Sequence, residues 1–197
     1  MSSDVLTEST RRRLTGRRAD TVRRLTEAAV EELRETGFDG LTVRNVARRA
    51  GVAPATAYTY FSSKNHLVAE VFWRRLTALP EVAPAPGGPR ERVAAVLREI
   101  TLLVADEPEL AAACTLAMLG SDPDVRELRT RIGLTIRRRF KAALGDGADG
   151  AGVPADTGRV LDALMFAYAG ALVHAGMGHT SYTQVADRLT NVAELFL

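Results

Sequence analysis

The feature that most constrains this chain is the segment Thr42–Lys64, which reads as two short helices joined by a tight glycine turn. In its first half, apolar residues recur at i, i+3, i+4 and i+7 and so share one helix face: Val43, Val46, Ala47 and Ala50. Thr42 precedes this stripe with a hydroxyl that can cap the first exposed amides. Gly51 can adopt the left-handed conformation that ends a helix, and Pro54 suits the first turn of the next. The segment therefore predicts a helix-turn-helix.

The second helix of this segment would present a small, hydroxyl-rich surface. Its candidate surface positions are Ala55, Thr56, Tyr58, Thr59 and Tyr60. Such a surface fits between the backbones of double-stranded DNA. The helix has no Arg, Asn or Gln, the side chains that pair bidentately with guanine or adenine edges. We therefore expect thymine-methyl contacts from Pro54, Ala55 and Thr59, together with recognition of DNA shape.

The N-terminal part of the chain is more basic than the rest, as expected if it binds DNA. Residues 1–75 carry 14 Lys and Arg against 9 Asp and Glu, a difference of +5, whereas residues 76–197 carry 12 against 15, a difference of −3. Cys114 is the single cysteine, which excludes an internal disulfide and a multi-cysteine zinc site and fits a reducing cytoplasm. We interpret it as a small buried apolar residue.

The organisation of the chain predicts an all-α protein with two domains. We predict a flexible basic arm over residues 1–17, a helix-turn-helix domain with a linking helix from Lys64 over 18–79, and a larger helical domain over 90–197, after a Pro- and Gly-rich break. We expect a first helix over 17–36, closed by Gly37, and five helices after the break, over 91–105, 109–120, 124–144, 156–177 and 183–196. The apolar run 160–178 is interrupted and marginal for a bilayer, so we interpret it as a buried helix.

The same residues carry a family resemblance. Over roughly residues 18–75 the chain resembles the N-terminal domain of TetR-family transcriptional regulators, on Ala28-Ala29, Leu33, Gly37-Phe38, Thr42, Val46-Ala47, Ala50-Gly51-Val52, Thr56, Tyr58, Tyr60-Phe61 and Ser63-Lys64. The sequence departs from the family at three positions. Ala53 replaces a usual capping Ser, Ala55 a common Gly, and Ala57 a larger aliphatic residue, so the recognition helix lacks a cap and has a small residue on its inner face.

The resemblance implies roles for individual residues of the DNA-binding domain. It places Arg44 where it can reach the major groove, and it implies phosphate contacts from Thr42, Tyr58, Tyr60 and Lys64. Packing against the first helix is the alternative for Tyr58. Arg48 and Arg49 contact DNA or form a solvated basic face. The arginines of 11–18 enter a minor groove or attract phosphates generally.

For the rear domain, the resemblance implies a small-molecule pocket and a dimer surface. The candidate ligand residues are Leu103, Met118, Phe140, Asp162, Met165, Phe166, Tyr168 and His174, although core packing explains each of them as well. The last two helices carry the apolar stripes Leu161, Leu164, Tyr168, Ala171, Ala175 and Val185, Leu189, Val192, Phe196. The resemblance makes them a four-helix dimer interface, and burial inside one subunit would produce the same stripes.

The function expected from these observations is that of a DNA-binding transcriptional regulator. No catalytic constellation emerges, and His66, His174 and His179 lack metal-ligand spacing, so we expect no enzyme, metal or cofactor. We expect a cytoplasmic homodimer without a membrane partner, acting as a repressor on a palindromic operator until a small apolar effector binds. The alternative is a DNA-binding dimer whose rear domain binds no ligand and serves only dimerisation or a protein partner.

Overall fold

The computed structural model describes residues 16–82, 87–145 and 156–196, with side chains described up to residue 192. Within these ranges all regular secondary structure is helical. The helices are α1 (Gly16–Gly40), α2 (Val43–Arg49), α3 (Pro54–Tyr60), α4 (Lys64–Ala78), α5 (Pro89–Leu102), α6 (Pro108–Met118), α7 (Pro123–Leu144), α8 (Thr157–Gly176) and α9 (Tyr182–Phe196). The all-α prediction is confirmed. The Arg11–Arg13 cluster lies outside the described residues.

The chain divides into two compact units. Unit one contains the described residues up to Ala78 together with Glu107–Thr130, and unit two contains Leu79–Asp106 and the described residues from Arg131 onward. The sequence-based domains differ in one respect, because they assign 107–130 to the rear. In the structure α6 packs on α1 and α4, and it buries Leu110, Ala113 and Ala117. The functional domain boundaries themselves stay a prediction.

Helix α1 is built on the apolar stripe that the sequence predicts. Val22, Leu25, Ala29 and Leu33 are all fully buried in unit one. Gly37 interrupts the helix with φ 66° and ψ −179°, so the predicted closure at this residue is confirmed, and a last short segment continues to Gly40. A left-handed φ is readily available only to glycine.

Unit one also contains a bridging carboxylate and the single cysteine. Glu107 is mostly buried and accepts from Arg34 of α1 at 2.7 Å and from Arg75 of α4 at 2.5 Å. These ion pairs fix the residue before α6 to both helices. Cys114 of α6 is buried as expected, and this burial raises the pKa of its thiol to about 12.

Unit two is held by the packing of α9 on α5 and α8. The predicted dimer stripes lie inside this unit: Leu161, Leu164, Tyr168 and Ala175 of α8 are buried, as are Val185 and Leu189 of α9. The intrasubunit alternative therefore accounts for these residues, while the side chain of Phe196 lies outside the described ones. The interpretation of α8 as a buried helix is wrong for its other face, where Phe166 is 78% exposed.

Two arginines of unit two donate to backbone carbonyl groups. Arg139 of α7 donates to the backbone oxygen of Pro80 at 2.8 Å and pairs with Glu99 of α5 at 2.5 Å. Arg92 of α5 donates to the oxygens of Ala143 and Leu144, the last carbonyls of α7. A cation there satisfies acceptors that the helix leaves free. No described helix is long and apolar enough to cross a membrane.

Candidate nucleic-acid interface

The first helix of the predicted motif, α2, begins at a side-chain cap. Thr42 has extended backbone (φ −136°, ψ 148°), and its hydroxyl accepts from the amide of Asn45 at 3.0 Å. Val43, Val46 and Ala47 are buried. The cap and the apolar stripe that the sequence predicts are thus present. Thr42 itself is exposed, so its hydroxyl lies at the surface.

The turn after α2 is a glycine-terminated helix end. Gly51 has φ 62°, the amide of Val52 donates to the oxygen of Ala47 at 2.9 Å, and the amide of Gly51 donates to that of Arg48 at 3.1 Å. This pair of hydrogen bonds defines a Schellman motif. The Arg24 guanidinium of α1 also donates to the oxygens of Ala50 and Gly51. A cation therefore sits at the negative end of α2, which stabilises the turn.

The recognition helix α3 is short and has no side-chain cap. Ala53 occupies the cap position, and only its carbonyl serves the helix, accepting from the amides of Thr56 and Ala57. The predicted loss of the cap is confirmed. Its only buried side chains are Ala57 and Tyr60. The small side chain of Ala57 gives the inner face of α3 little area to bury.

The outer face of α3 carries the predicted surface residues. Pro54, Ala55 and Thr56 are exposed, and Tyr58 is 48% exposed, so the solvent-facing interpretation of Tyr58 fits better than packing against α1. The Thr59 hydroxyl donates to the oxygen of Ala55 at 3.0 Å. Tyr60 is 6% exposed. The predicted surface position of Tyr60 is therefore wrong, because its side chain is one of the two that anchor α3 in the core.

The three arginines of α2 have different environments. Arg44 is exposed, and among the described residues no hydrogen bond or ion pair engages its guanidinium. Arg48 is exposed and reaches Asn45 at 3.4 Å. Arg49 instead donates to Glu32 at 2.8 Å and binds Glu35, both of α1. Of the three, Arg44 has the guanidinium that DNA can engage without breaking a contact.

The Arg49 contacts show a structural role that the sequence did not predict. Hydrogen bonding by Arg49 lowers the pKa of Glu35, and hydrogen bonds with Glu35 and Glu32 raise the pKa of Arg49. Glu32 is almost fully buried, so its charge requires this partner. Arg49 therefore fixes α2 to α1, and the solvated alternative weighed for it does not apply.

Lys64, predicted to contact phosphate, is also engaged within unit one. Its Nζ donates to the oxygen of Phe38 at 2.8 Å and lies 4.4 Å from the centroid of the Phe38 ring. An ammonium over an aromatic face is attracted by the ring quadrupole. Lys64 thus joins the start of α4 to the end of α1, and a phosphate would share an ammonium that is already oriented.

The comparisons with known proteins agree with this geometry. Residues 25–71 match the family described as "Bacterial regulatory proteins, tetR family". An uncharacterised HTH-type transcriptional regulator of Mycobacterium tuberculosis (strain H37Rv) is 47% identical over 209 residues, covering 100% of this chain and 94% of the relative. The chain belongs to the TetR family of bacterial transcriptional regulators.

Two further relatives of this TetR-family chain have informative names. The HTH-type transcriptional repressor KstR of Rhodococcus jostii (strain RHA1) is 30% identical over 126 residues, covering 63% of this chain and 59% of the repressor. The crystal structure of the transcriptional regulator FadR from Bacillus subtilis in complex with stearoyl-CoA has a TM-score of 0.63 and 18% identity, covering 87% of this chain and 96% of FadR. The second similarity concerns the fold alone.

The predicted ligand residues of this TetR-family regulator have mixed environments. In unit two, Phe140 and Tyr168 are buried, and Leu103 and Met165 are half-buried. The Met165 methyl lies 4.0 Å from the place where a Cβ on Gly133 would stand. These side chains remain candidates for a pocket enclosed by unit two.

The other four predicted ligand residues have different surroundings. Asp162 is exposed and binds Arg137, Phe166 is exposed, and His174 is exposed with its ring centroid 4.7 Å from that of His179. Met118 is half-buried and belongs to unit one. Exposed side chains cannot enclose a ligand within one subunit, so Asp162, Phe166 and His174 are poor candidates for an internal pocket. Among the described residues, no group of three or more His, Cys, Asp or Glu is placed to hold a metal ion.

Proposed function

We propose that this TetR-family chain is a homodimeric repressor that binds a palindromic operator and is released from it by a small apolar effector. The observation that carries the DNA-binding part is the exposed face of α3, together with the unengaged guanidinium of Arg44 in the preceding helix. Thr42, Tyr58 and Lys64 lie within the same motif and would bind phosphates, while Pro54, Ala55 and Thr59 would contact thymine methyls. We place the protein in the cytoplasm, in keeping with a buried thiol and a DNA partner.

The exposed face of α8 supports the homodimer. Phe166, Gly170, Val173 and Met177 follow the spacing i, i+4, i+7 and i+11 and so lie on one side of the helix. Phe166 and Met177 are among the most exposed large apolar side chains of the described chain. An apolar stripe of this kind marks an interaction surface, and a second copy would place two recognition helices on two half-sites.

The effector is the finer part of the proposal. Phe140, Met165, Tyr168 and Leu103 are apolar or amphipathic, and they are at least half-buried in unit two. KstR is named a repressor, and the FadR structure contains stearoyl-CoA, so an apolar or acyl-chain effector is the first class to test. The alternative is a rear domain that binds no ligand. The relatives are regulators, and we propose no catalytic activity.

The DNA-binding part is tested by sequencing the genomic fragments that the purified protein retains, followed by titration of the recovered site. We expect a palindromic site whose affinity falls by roughly 10³–10⁵ between low and moderate salt. Arg44→Ala should reduce discrimination against scrambled DNA by about 1–3 kcal/mol. Arg23→Ala, which removes an exposed α1 arginine paired with Asp20 and Glu27, is the control and should retain discrimination. Equal losses in both variants would refute the role of Arg44.

The effector part is tested separately, with stearoyl-CoA and free stearate as the first probes. Binding should raise the unfolding temperature and weaken operator binding by a coupling of about 1–3 kcal/mol. Met165→Glu places a charge among the candidate pocket residues and should abolish both effects. If a wider set of apolar compounds changes neither stability nor operator affinity, the result favours the alternative in which the rear domain binds no ligand.

A further inference from the structure

Two helix N-termini meet in unit one at a cluster of polar side chains outside the DNA-binding face. Ser62, Ser63 and His66 lie between α3 and the first turn of α4, while Asp122 and Asp124 lie at the start of α7. We call these five residues the capping joint. The first three residues and the two aspartates are separated by about 60 positions, so the sequence did not predict that they meet.

The joint contains the N-terminal caps of two helices, α4 and α7. The Ser63 hydroxyl accepts from the amide of His66 at 3.0 Å and so caps α4. Asp122 accepts from the amide of Asp124 at 2.9 Å and so caps α7. The segment that caps α4 also contacts the cap of α7, because the Ser62 hydroxyl lies 3.4 Å from the Asp122 carboxylate. The caps of the two helices therefore depend on each other.

Ser62 and His66 complete the joint. The Ser62 hydroxyl donates to the Asp124 carboxylate at 2.6 Å, and the Ser62 amide donates to Nδ1 of His66 at 3.3 Å. His66 is 1% exposed, and its Nδ1 lies 3.7 Å from Asp124. Removing one member of such a network leaves the partly buried polar groups of the others without good hydrogen-bond partners. The contacts should therefore be lost together.

The location of the joint matters because α3 has few other attachments. This helix has seven residues, no side-chain cap, and only Ala57 and Tyr60 buried. Its C-terminal end continues into Phe61, which is fully buried and contacts the edge of the His66 ring at a centroid distance of 5.5 Å. Ser62 follows directly. The joint thus holds the chain two residues beyond the end of the recognition helix.

We propose that the capping joint is a positioning device for DNA binding, which fixes recognition helix α3 through hydrogen bonds to the start of α7. The proposal rests on the DNA-binding function proposed above. Residues 122–124, which lie far from the helix-turn-helix in sequence, would thereby contribute to DNA binding. The joint contacts no DNA; it acts by restricting where α3 can lie.

The test compares Ser62→Ala, Asp124→Asn and the double variant with Glu107→Gln. Glu107 is the matched control, because it is a mostly buried carboxylate of unit one that binds Arg34 and Arg75 and does not contact the joint. Operator affinity is measured at a temperature where circular dichroism shows all variants fully folded. We expect each joint variant to lose about tenfold in affinity and the double variant little more than either, because the contacts are coupled. Ser62→Thr, which keeps the hydroxyl, should restore binding.

A second measurement distinguishes positioning from general stability. Amide hydrogen exchange without DNA should be faster over residues 56–61 in the joint variants and unchanged over the buried part of α1, whereas Glu107→Gln should leave 56–61 unchanged. Joint variants with normal exchange over 56–61, or with operator affinity within about twofold of the unmodified protein, would overturn the proposal. If the unmodified protein retains no DNA, the proposed function fails, while the exchange measurement still decides the role of the joint.

Discussion

The replacement of Gly51 by Ala should weaken unit one through two separable effects. The first is backbone strain, because Gly51 has φ 62° and a left-handed conformation costs a residue with a Cβ about 1–2 kcal/mol. The second is crowding, because the new Cβ would lie 3.0 Å from the Arg24 guanidinium. That group would have to move, and weakening of its hydrogen bonds to the part-buried Ala50 carbonyl and the exposed Gly51 carbonyl would cost about 0.5–1.5 kcal/mol. We expect a total loss of about 1.5–3.5 kcal/mol.

Gly37 provides a control in which a new Cβ causes backbone strain without crowding. It has φ 66° with ψ −179°, a region that is essentially restricted to glycine, and a Cβ there would have nothing within 4 Å, so Gly37→Ala should cost about 1–3 kcal/mol from backbone strain alone. The assay is urea unfolding of Gly51→Ala, Gly37→Ala and the unmodified protein at one fixed concentration, since a dimer couples stability to concentration. Arg24→Ala is then added to each, and it should cost less in the Gly51→Ala background than in the Gly37→Ala background.

Two results would refute this reasoning. A loss below about 1.5 kcal/mol for Gly51→Ala would show that backbone strain and loss of the Arg24 contact do not both act. A full additional loss from Arg24→Ala in the Gly51→Ala background would show that the guanidinium accommodates the new methyl group without giving up its carbonyl partners.

Three further variants test other parts of the structure. Ala53→Ser should add the missing cap of α3 and raise the free energy of unfolding by about 0.5–2 kcal/mol, measured by urea titration; no gain would mean that the hydroxyl does not reach the α3 amides. Partial burial opposes ionisation of Asp122, but hydrogen bonds from Ser63 and the Asp124 amide lower its pKa, so its stabilisation is present above about pH 4 and is lost as the pH falls through its folded-state pKa. The stability gap between the unmodified protein and Asp122→Asn should therefore shrink below about pH 4 in urea titrations, and a constant gap would contradict this. Phe166→Glu should yield monomers in sedimentation, whereas Leu134→Glu, at another exposed apolar position of unit two (63% exposed), should stay dimeric; the same state for both would count against the α8 interface.

The parts of the fold that the sequence predicted well are those decided within a few residues. Thr42 caps α2 through the amide three positions on, and Gly51 ends the same helix through a conformation that few other residues adopt. The absence of a cap at Ala53 follows from a single side chain. These features depend on residues a few positions apart and not on tertiary contacts, so they can be predicted from the sequence.

The rest depended on partners that are distant in sequence. The stripe Leu161, Leu164, Tyr168 has the same helical spacing whether it packs inside a subunit or against a second copy, and the structure places it inside unit two. Arg49 is of a residue type that commonly binds DNA, but in this structure it forms ion pairs with Glu32 and Glu35 of α1. The sequence gives no signal for either partnership, because helical periodicity identifies a buried face without identifying what covers it.

The packing of α6 onto α1 and α4 has a consequence for recombination among these regulators. A crossover after Ala78 would appear to transfer a complete DNA-binding module. In this chain it would leave behind Leu110, Ala113 and Cys114, which fill the space between the exchanged helices, and Glu107, which neutralises Arg34 and Arg75. A functional graft from this chain would therefore have to carry residues 107–130 as a second, discontinuous insert.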